Sequence, residues 1–135
     1  MDGEEMIEEA TNIVRMEGLT LPVSDLERSL AFYRDLLGFE VEYRSGSTIA
    51  LLRIGEGTLG LLHTKAPGPA EQRKNVHVEL TTDDLDGLYE DLKVRGAEFY
   101  EPPRDKSWER SMSILDPDGY RVEFAQGRRG RNRTD

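Results

Sequence analysis

One pattern occurs twice in this chain, about 59 residues apart, and this duplication constrains the fold more than any other feature. Residues 18–38, GLTLPVSDLERSLAFYRDLLG, align with residues 77–96, HVELTTDDLDGLYEDLKVRG, so that Leu21 is equivalent to Leu80. A later segment, YRVEF, aligns in the same way with TLGLL. The chain is therefore expected to fold as two copies of one unit.

The two copies differ at the positions that carry metal-ligand chemistry. The alignment sets His77 against Gly18 and Glu123 against Gly60. One copy thus offers an imidazole and a carboxylate where the other offers two glycines. The duplication therefore predicts two similarly folded units, of which only the second carries potential metal ligands at these positions.

Local patterns predict the elements of the first unit. Leu19, Leu21 and Val23 alternate with other residues, which indicates a strand with one covered face. Ser24, three residues before a glutamate, has the spacing of a helix cap, and Gly38 ends that helix. Short strands are predicted near 39–44, 47–54 and 58–63, which completes a βαβββ order.

The second unit repeats that order. It has a predicted strand near 76–81, a helix that begins with an Asp83 cap, and strands near 97–100, 110–115 and 120–125. The sequence DPDG at 116–119 predicts a tight hairpin turn. The fold class is therefore α+β, with two tandem βαβββ modules that form a curved mixed sheet around a cleft. The predicted organisation is an acidic appendage (1–13), one domain (14–126: module one 14–63, linker 64–75, module two 76–126) and a disordered Arg-rich tail (127–135).

Strand alternation separates core residues from residues that line the cleft. The predicted core face comprises Leu19, Leu21, Val23, Leu59, Leu61, Val78, Leu80, Val122 and Phe124. The opposite face comprises Gly18, Thr20, Pro22, Gly60, Leu62, His77, Glu79, Thr81, Arg121, Glu123 and Ala125. Any ligand chemistry is expected on this second face.

Composition excludes several classes of function. The chain has no cysteine, so disulfides and thiolate chemistry are excluded. Its formal charge of -9 opposes a general nucleic-acid surface, which needs clustered Lys and Arg. No apolar stretch is long enough to span a membrane, and the N-terminus is acidic where a secretory signal is basic. We expect a cytoplasmic protein with neither nucleic-acid nor membrane partners.

With these motifs the chain resembles the vicinal oxygen chelate superfamily, which includes glyoxalase I, extradiol dioxygenases, and the fosfomycin and bleomycin resistance proteins. The resemblance rests on LPVSDLERSLAFYRDLLGFEV at 21–41, VHVELTTDDLDGLYEDLKVRGAEF at 76–99 and ILDPDGYRVEF at 114–124. It implies a small-molecule ligand and a homodimer in which each cleft pairs a first module with a second one.

The resemblance also implies four metal-ligand positions, which correspond here to Gly18, Gly60, His77 and Glu123. Two of these cannot coordinate, so the expected cofactor is either absent or a weakly held divalent metal (Zn, Mn, Fe or Ni). Glu79 shares a strand face with His77 and is the candidate third ligand or general base, which makes Glu79 and Glu123 the catalytic candidates.

Other readings of these residues stay open. His77 and Glu123 could hydrogen-bond to each other, or Glu123 could pair with Arg121 or another cation. Glu17 and His63 would join the site only if a strand register slipped by one residue. The candidate substrate-binding residues are Thr20, Leu62, Tyr100, Trp108 and Arg121.

Three functions follow from these possibilities. The first is a small-molecule-binding protein with an incomplete metal site. The second is a metal-dependent lyase, isomerase or dioxygenase that acts on vicinal oxygens, and the third is an interaction module that uses the two terminal segments. Whether the protein is an enzyme stays open at this point.

Overall fold

The first module forms a four-stranded sheet in the computed structural model, which describes residues 12–127. Its elements are β1 (Gly18–Val23), helix α1 (Leu26–Leu30) with a π-helical continuation (Ala31–Leu36), β2 (Glu40–Ser45), β3 (Ile49–Ile54) and β4 (Gly57–His63). The strand order is β1-β4-β3-β2. Strands β1 and β4 are parallel, and the other pairs are antiparallel.

The second module repeats this arrangement after a short connecting helix, α2 (Ala70–Arg73). Its elements are β5 (His77–Thr81), α3 (Leu85–Val94), β6 (Phe99–Asp105), β7 (Glu109–Leu115) and β8 (Arg121–Gly127), in the strand order β5-β8-β7-β6. The predicted fold class of two tandem βαβββ modules is confirmed. Most of the predicted appendage (residues 1–11) and tail (residues 128–135) lies outside the described residues.

Strand pairing shows that the two modules are equivalent residue by residue. In the first sheet Thr20 is the Cα partner of Gly60, and in the second sheet Glu79 is the Cα partner of Glu123. These are the pairs that the sequence alignment makes equivalent. The duplicated register therefore holds across both parallel strand pairs.

The helices begin one residue later than the sequence predicts. Asp25, and not Ser24, caps α1, because its carboxylate accepts a hydrogen bond from the backbone N–H three residues on. Likewise Asp84, and not Asp83, caps α3. Ser24 has a different role, since its hydroxyl donates to Asp118 Oδ1 of the second module at 2.7 Å. The capping prediction missed this contact because it spans 94 positions in sequence.

A single hydrophobic core joins the modules. It comprises Leu21, Val23, Leu26, Leu30, Tyr33, Ala50, Leu52, Leu59, Leu61, Val78, Leu85, Leu92, Met112, Ile114, Tyr120, Val122 and Phe124. Leu80 is only partly buried but packs against this core. The prediction that Leu19 belongs to the core is wrong, because 39% of its surface is exposed. Leu19 lies near the start of edge strand β1, where it faces a surface groove.

The turn before β8 fastens module two to module one. The buried Asp116 carboxylate accepts from the Tyr33 hydroxyl at 2.6 Å and from the backbone N–H groups of Asp118 at 2.8 Å and Tyr120 at 2.9 Å. The Tyr120 hydroxyl in turn donates to the Pro22 carbonyl at 2.7 Å. Burial raises the pKa of Asp116, although these hydrogen bonds oppose that rise. Within residues 12–127, no helix is long and apolar enough to cross a membrane.

Candidate metal centre

Three potential metal ligands converge on one face of the second sheet. His77 and Glu79 lie two residues apart on β5 and point to the same side, and Glu123 lies beside Glu79 on β8. His77 Nδ1 is 3.8 Å from Glu123 Oε1 and 4.0 Å from Glu79 Oε2. One donor atom from each residue falls within 4.8 Å of the others. We call these residues the triad and the surface that carries them the site face.

The donor set of the triad fits a divalent transition metal. Imidazole nitrogen and carboxylate oxygen are suitable ligands for such ions at 2.0–2.2 Å, so two ligands of one ion lie roughly 3 to 4.4 Å apart. The two separations from His77 Nδ1, 3.8 Å to Glu123 and 4.0 Å to Glu79, fall in this range. Three protein ligands with an open side is also the usual composition of a catalytic zinc site. Within residues 12–127 this is the one cluster of its kind.

The two residues that would have needed a slipped register stay outside the triad. His63 pairs with Val23 at the far end of β1, and the Glu17 backbone carbonyl bonds to Thr58 just before β1 begins. The parallel pairing therefore keeps its expected register along the whole strand. Glu79 completes the set, as the alternation along β5 indicates.

Exposure is graded across the triad. The Glu123 side chain is 11% exposed, His77 is 37% exposed and Glu79 is 72% exposed. Glu123 thus forms the buried side of the triad, whereas Glu79 lies at its solvent-exposed side. A ligand that enters from solvent meets Glu79 first.

Glu123 already has a cationic partner. Lys106 Nζ donates to Glu123 Oε2 at 3.2 Å, and the lysine side chain is only 21% exposed. This lysine lies in the loop between β6 and β7, and sequence reasoning did not single it out. The available signal was its position two residues before Trp108, a predicted substrate-binding residue.

Arg121 pairs with Glu101 and not with Glu123. Its Nη2 lies 2.5 Å from Glu101 Oε1, and its guanidinium carbon is 5.3 Å from the centre of the Tyr100 ring. Two predicted substrate-binding residues, Tyr100 and Arg121, are therefore brought together. They contact each other, and neither belongs to the triad.

The other predicted substrate-binding residues are dispersed. Trp108 is 54% exposed and follows Lys106 by two residues. Thr20 and Leu62 belong to the first sheet, where both are exposed. Ser113 on β7, which the sequence analysis missed, is completely buried and pairs with Glu123 of β8. Its Oγ has no hydrogen-bond partner among the described residues.

Backbone pairing explains why module one lacks an equivalent centre. A Cβ atom added to Gly18 would lie 2.0 Å from the Thr58 carbonyl oxygen on the neighbouring strand. A Cβ on Gly60 would lie 2.8 Å from Thr20 Oγ1, which is the end of a rotatable side chain. No side chain fits at Gly18 unless β1 and β4 separate. At Gly60, by contrast, a side chain would require only neighbouring side chains to move.

A groove of about 260 Å³ runs between the edge strands β1 and β5 and reaches the triad. Its lining is mostly apolar and includes two members of the triad, His77 and Glu79. The full lining consists of Met16, Gly18, Leu19, Ile54, Gly57, Thr58, Leu59, His77, Val78, Glu79 and Leu80. A larger hollow of about 470 Å³, between Phe32 and Tyr100, contains no member of the triad. In the smaller groove, apolar walls meet potential metal ligands.

Comparison with known proteins shows the family to which this fold belongs. The sequence profile of the Glyoxalase/Bleomycin resistance protein/Dioxygenase superfamily matches residues 14–124. The chain belongs to this superfamily. It is 32% identical over 113 residues to the glutathione transferase FosA of Serratia marcescens, with 81% of this chain and 78% of that protein covered.

Two further members of the superfamily show how varied it is. The chain is 29% identical over 117 residues to a manganese-dependent 2,3-dihydroxybiphenyl 1,2-dioxygenase of Geobacillus genomosp. 3, with 83% of this chain covered but only 36% of that enzyme. A crystal structure of a glyoxalase/bleomycin resistance protein/dioxygenase from Nocardioides aligns with a TM-score of 0.74 and 26% identity. That alignment covers 98% of this chain and 95% of that one. The family predicted from the duplicated motifs is confirmed.

Proposed function

We propose that the protein binds a small organic molecule beside a divalent metal ion held by His77, Glu79 and Glu123. The observation that supports this most directly is the convergence of one imidazole and two carboxylates within 4.8 Å at the end of an apolar groove. Superfamily membership adds weight, since one relative is named as manganese-dependent.

Each member of the triad has a distinct role in this proposal. Glu123 is held inside the sheet and fixes one side of the ion, and His77 supplies the nitrogen ligand. The exposed Glu79 either completes the ligand set or accepts a proton from the bound molecule. A bound ion would act as a Lewis acid on oxygen atoms of the ligand. The apolar groove walls would hold the rest of that molecule and exclude water.

The reaction class belongs to the same proposal. Relatives of this chain are named as a dioxygenase and as a glutathione transferase, so one fold hosts several chemistries in this superfamily. We propose a metal-dependent lyase, isomerase, dioxygenase or group transferase. An assay panel should first test substrates with adjacent oxygen atoms, which can bind one ion through both.

Zinc binding by three variants tests the metal site. Replacing His77 by Ala should lower the affinity for Zn²⁺ on the order of 100-fold, as measured by isothermal titration calorimetry, because the only nitrogen ligand is lost. His63→Ala is the matched control, since His63 is the chain's other histidine and lies on the first sheet. Glu79→Gln should lower affinity less, because Glu79 is the most exposed ligand. Equal affinities for the His77 and His63 variants would exclude this site.

Binding without metal is the second candidate function, and the Lys106–Glu123 ion pair favours it. The Lys106 ammonium group compensates the charge of the Glu123 carboxylate when no metal ion is bound. In this case the groove would bind its ligand equally well in the presence of a chelator. Thermal-shift screening of small molecules with and without EDTA separates the two functions.

We further propose that the protein is a homodimer and is cytoplasmic. The segment before β1 carries exposed apolar side chains, with Ile13 at 69%, Val14 at 93% and Met16 at 82% exposure. Met16 also lines the groove between β1 and β5. A second copy would bury these side chains. Light scattering should report twice the monomer mass, and Val14→Asp should shift the protein toward the monomer. The absence of cysteine supports the cytoplasmic location, which cell fractionation tests.

A further inference from the structure

The loop that carries Lys106 folds over the site face. The Lys106 backbone N–H donates to the Glu109 carbonyl at 2.7 Å and closes the hairpin between β6 and β7. Glu109 pairs with Gly127, which is four residues beyond Glu123 and so roughly 13 Å further along β8. Lys106 nevertheless reaches Glu123. The hairpin must therefore curl back across the site face.

Irregular pairing in β6 accounts for this curl. The register between β6 and β7 shifts twice, once between Phe99 and Glu101 and again between Glu101 and Arg104. Such irregularities bend a strand and increase its local twist. The first sheet has one such shift, in β2, between Val41 and Tyr43. The bent β6–β7 hairpin is thus a feature of the module that carries the triad.

The position of Lys106 matters because Glu123 is nearly buried. A carboxylate with 11% exposure is costly to leave unpaired, and the Lys106 ammonium supplies the opposite charge at 3.2 Å. A divalent ion held by the triad would supply that charge instead. Two cations that share one carboxylate repel each other, so the ammonium and the metal favour alternative states of the site.

From this geometry we propose that Lys106 is a tethered cation that occupies Glu123 in the metal-free protein and is displaced from it when a divalent ion binds. The proposal rests on the metal site proposed above. Lys106 then sets the metal affinity and couples occupancy of the site to the position of the loop 105–109. It is a positioning residue and not a metal ligand.

The sequence provides a reporter for this coupling. Trp108 is the only tryptophan in the chain and lies two residues after Lys106, half exposed on the same loop. Displacement of Lys106 from Glu123 would move the loop and change the surroundings of the indole ring. Tryptophan emission therefore follows the loop without any added label.

Zinc titration of four proteins tests the competition. Replacing Lys106 by Met removes the ammonium but keeps an unbranched side chain, and it should raise Zn²⁺ affinity about tenfold or more, because a charge-assisted contact no longer opposes binding. Lys106→Arg keeps the positive charge and should retain the weaker affinity. Lys93→Met is the matched control, since Lys93 lies exposed on α3 beside Tyr89 and its loss changes the net charge equally.

The outcomes separate this inference from the proposed metal site. Zinc affinity that is equal in wild type and Lys106→Met, or lower in Lys106→Met, would overturn the tethered-cation role while leaving the metal site intact. Absence of His77-dependent zinc binding in every variant would overturn both. Binding in Lys106→Met alone would support the inference strongly. A cooperative melting transition in the absence of metal would show that each variant is folded, with Lys106→Met melting at a lower temperature because Glu123 loses its counter-charge.

Fluorescence supplies an independent readout. In wild type, Zn²⁺ should change Trp108 emission with the same midpoint as the calorimetric titration. In Lys106→Met the change should be lost or much smaller, because the loop is no longer held by Glu123 before the metal arrives. An identical spectral change in both proteins would contradict the coupling of the loop to the site.

Discussion

The two modules share one topology and one register, yet only the second assembles metal-binding chemistry. The positions of His77, Glu79 and Glu123 in module two correspond to Gly18, Thr20 and Gly60 in module one. Their core faces, by contrast, contribute to a single hydrophobic cluster. The buried face of each sheet therefore maintains the fold, while the opposite face can gain or lose chemistry.

The modules also differ in the turn that leads to their last strand. In module two this turn contains the buried Asp116, which bonds to Tyr33 of module one. In module one the corresponding turn contains Glu56, which is exposed. Module two thus carries both the triad and the contact that fastens the two halves together.

The largest effect on the free energy of unfolding is expected when this turn of module two loses the Asp116 carboxylate. Asp116→Ala removes one carboxylate and leaves the Tyr33 hydroxyl and two backbone N–H groups without their acceptor. We expect a loss of about 3 kcal/mol in the free energy of unfolding. Glu56→Ala in the other module should change it by less than about 0.5 kcal/mol. Urea denaturation measures both, and similar losses would contradict the asymmetry between the turns.

A smaller difference is expected between the two glycines of module one. Gly18→Ala places a methyl group against the Thr58 carbonyl and should cost about 1–3 kcal/mol, because the backbone of β1 or β4 has to move. Gly60→Ala requires only that Thr20 and Leu51 adjust and should cost less than about 1 kcal/mol. Melting temperatures give the order of the two variants. If Gly60→Ala were the more damaging change, close strand pairing at Gly18 would not explain the missing ligand.

The smallest expected effect is a pH dependence of the free energy of unfolding that arises from the burial of Asp116. Burial raises the folded-state pKa of Asp116 above its unfolded value of about 3.9. Its protonated form therefore favours the native state below the unfolded pKa, and this contribution is lost as pH rises through the folded pKa. Relative to Asp116→Asn, wild-type stability should decline across this window. A relative stability that rises with pH would mean that the hydrogen bonds outweigh burial.

The sequence predicted most of the fold because the required signals are local. Alternation of apolar residues identified the strands, and the repeat fixed their equivalence, including the pairing of Glu79 with Glu123. The start of α1 was displaced by one residue because Ser24 bonds to Asp118 instead of capping its own helix. Leu19 was assigned to the core because alternation gives the direction of a side chain but not whether another element covers it.

The candidate site was only partly predictable for a related reason. His77, Glu79 and Glu123 follow from strand alternation together with the superfamily resemblance. Lys106 does not, because its contact with Glu123 depends on a hairpin that curls across the sheet. Arg121 was one of the cations that the sequence left open as a partner for Glu123, but Glu101 on another strand lies within its reach and binds it.

By itself, then, the sequence determined that this protein has two equivalent modules and that one of them lacks metal ligands. Only the tertiary structure decided that Lys106 pairs with Glu123 and that Gly18 has no space for a side chain. The physical reason is the range of the interactions. Periodicity reports which way a side chain points, whereas distances between strands and the path of a loop are set by packing across the whole domain.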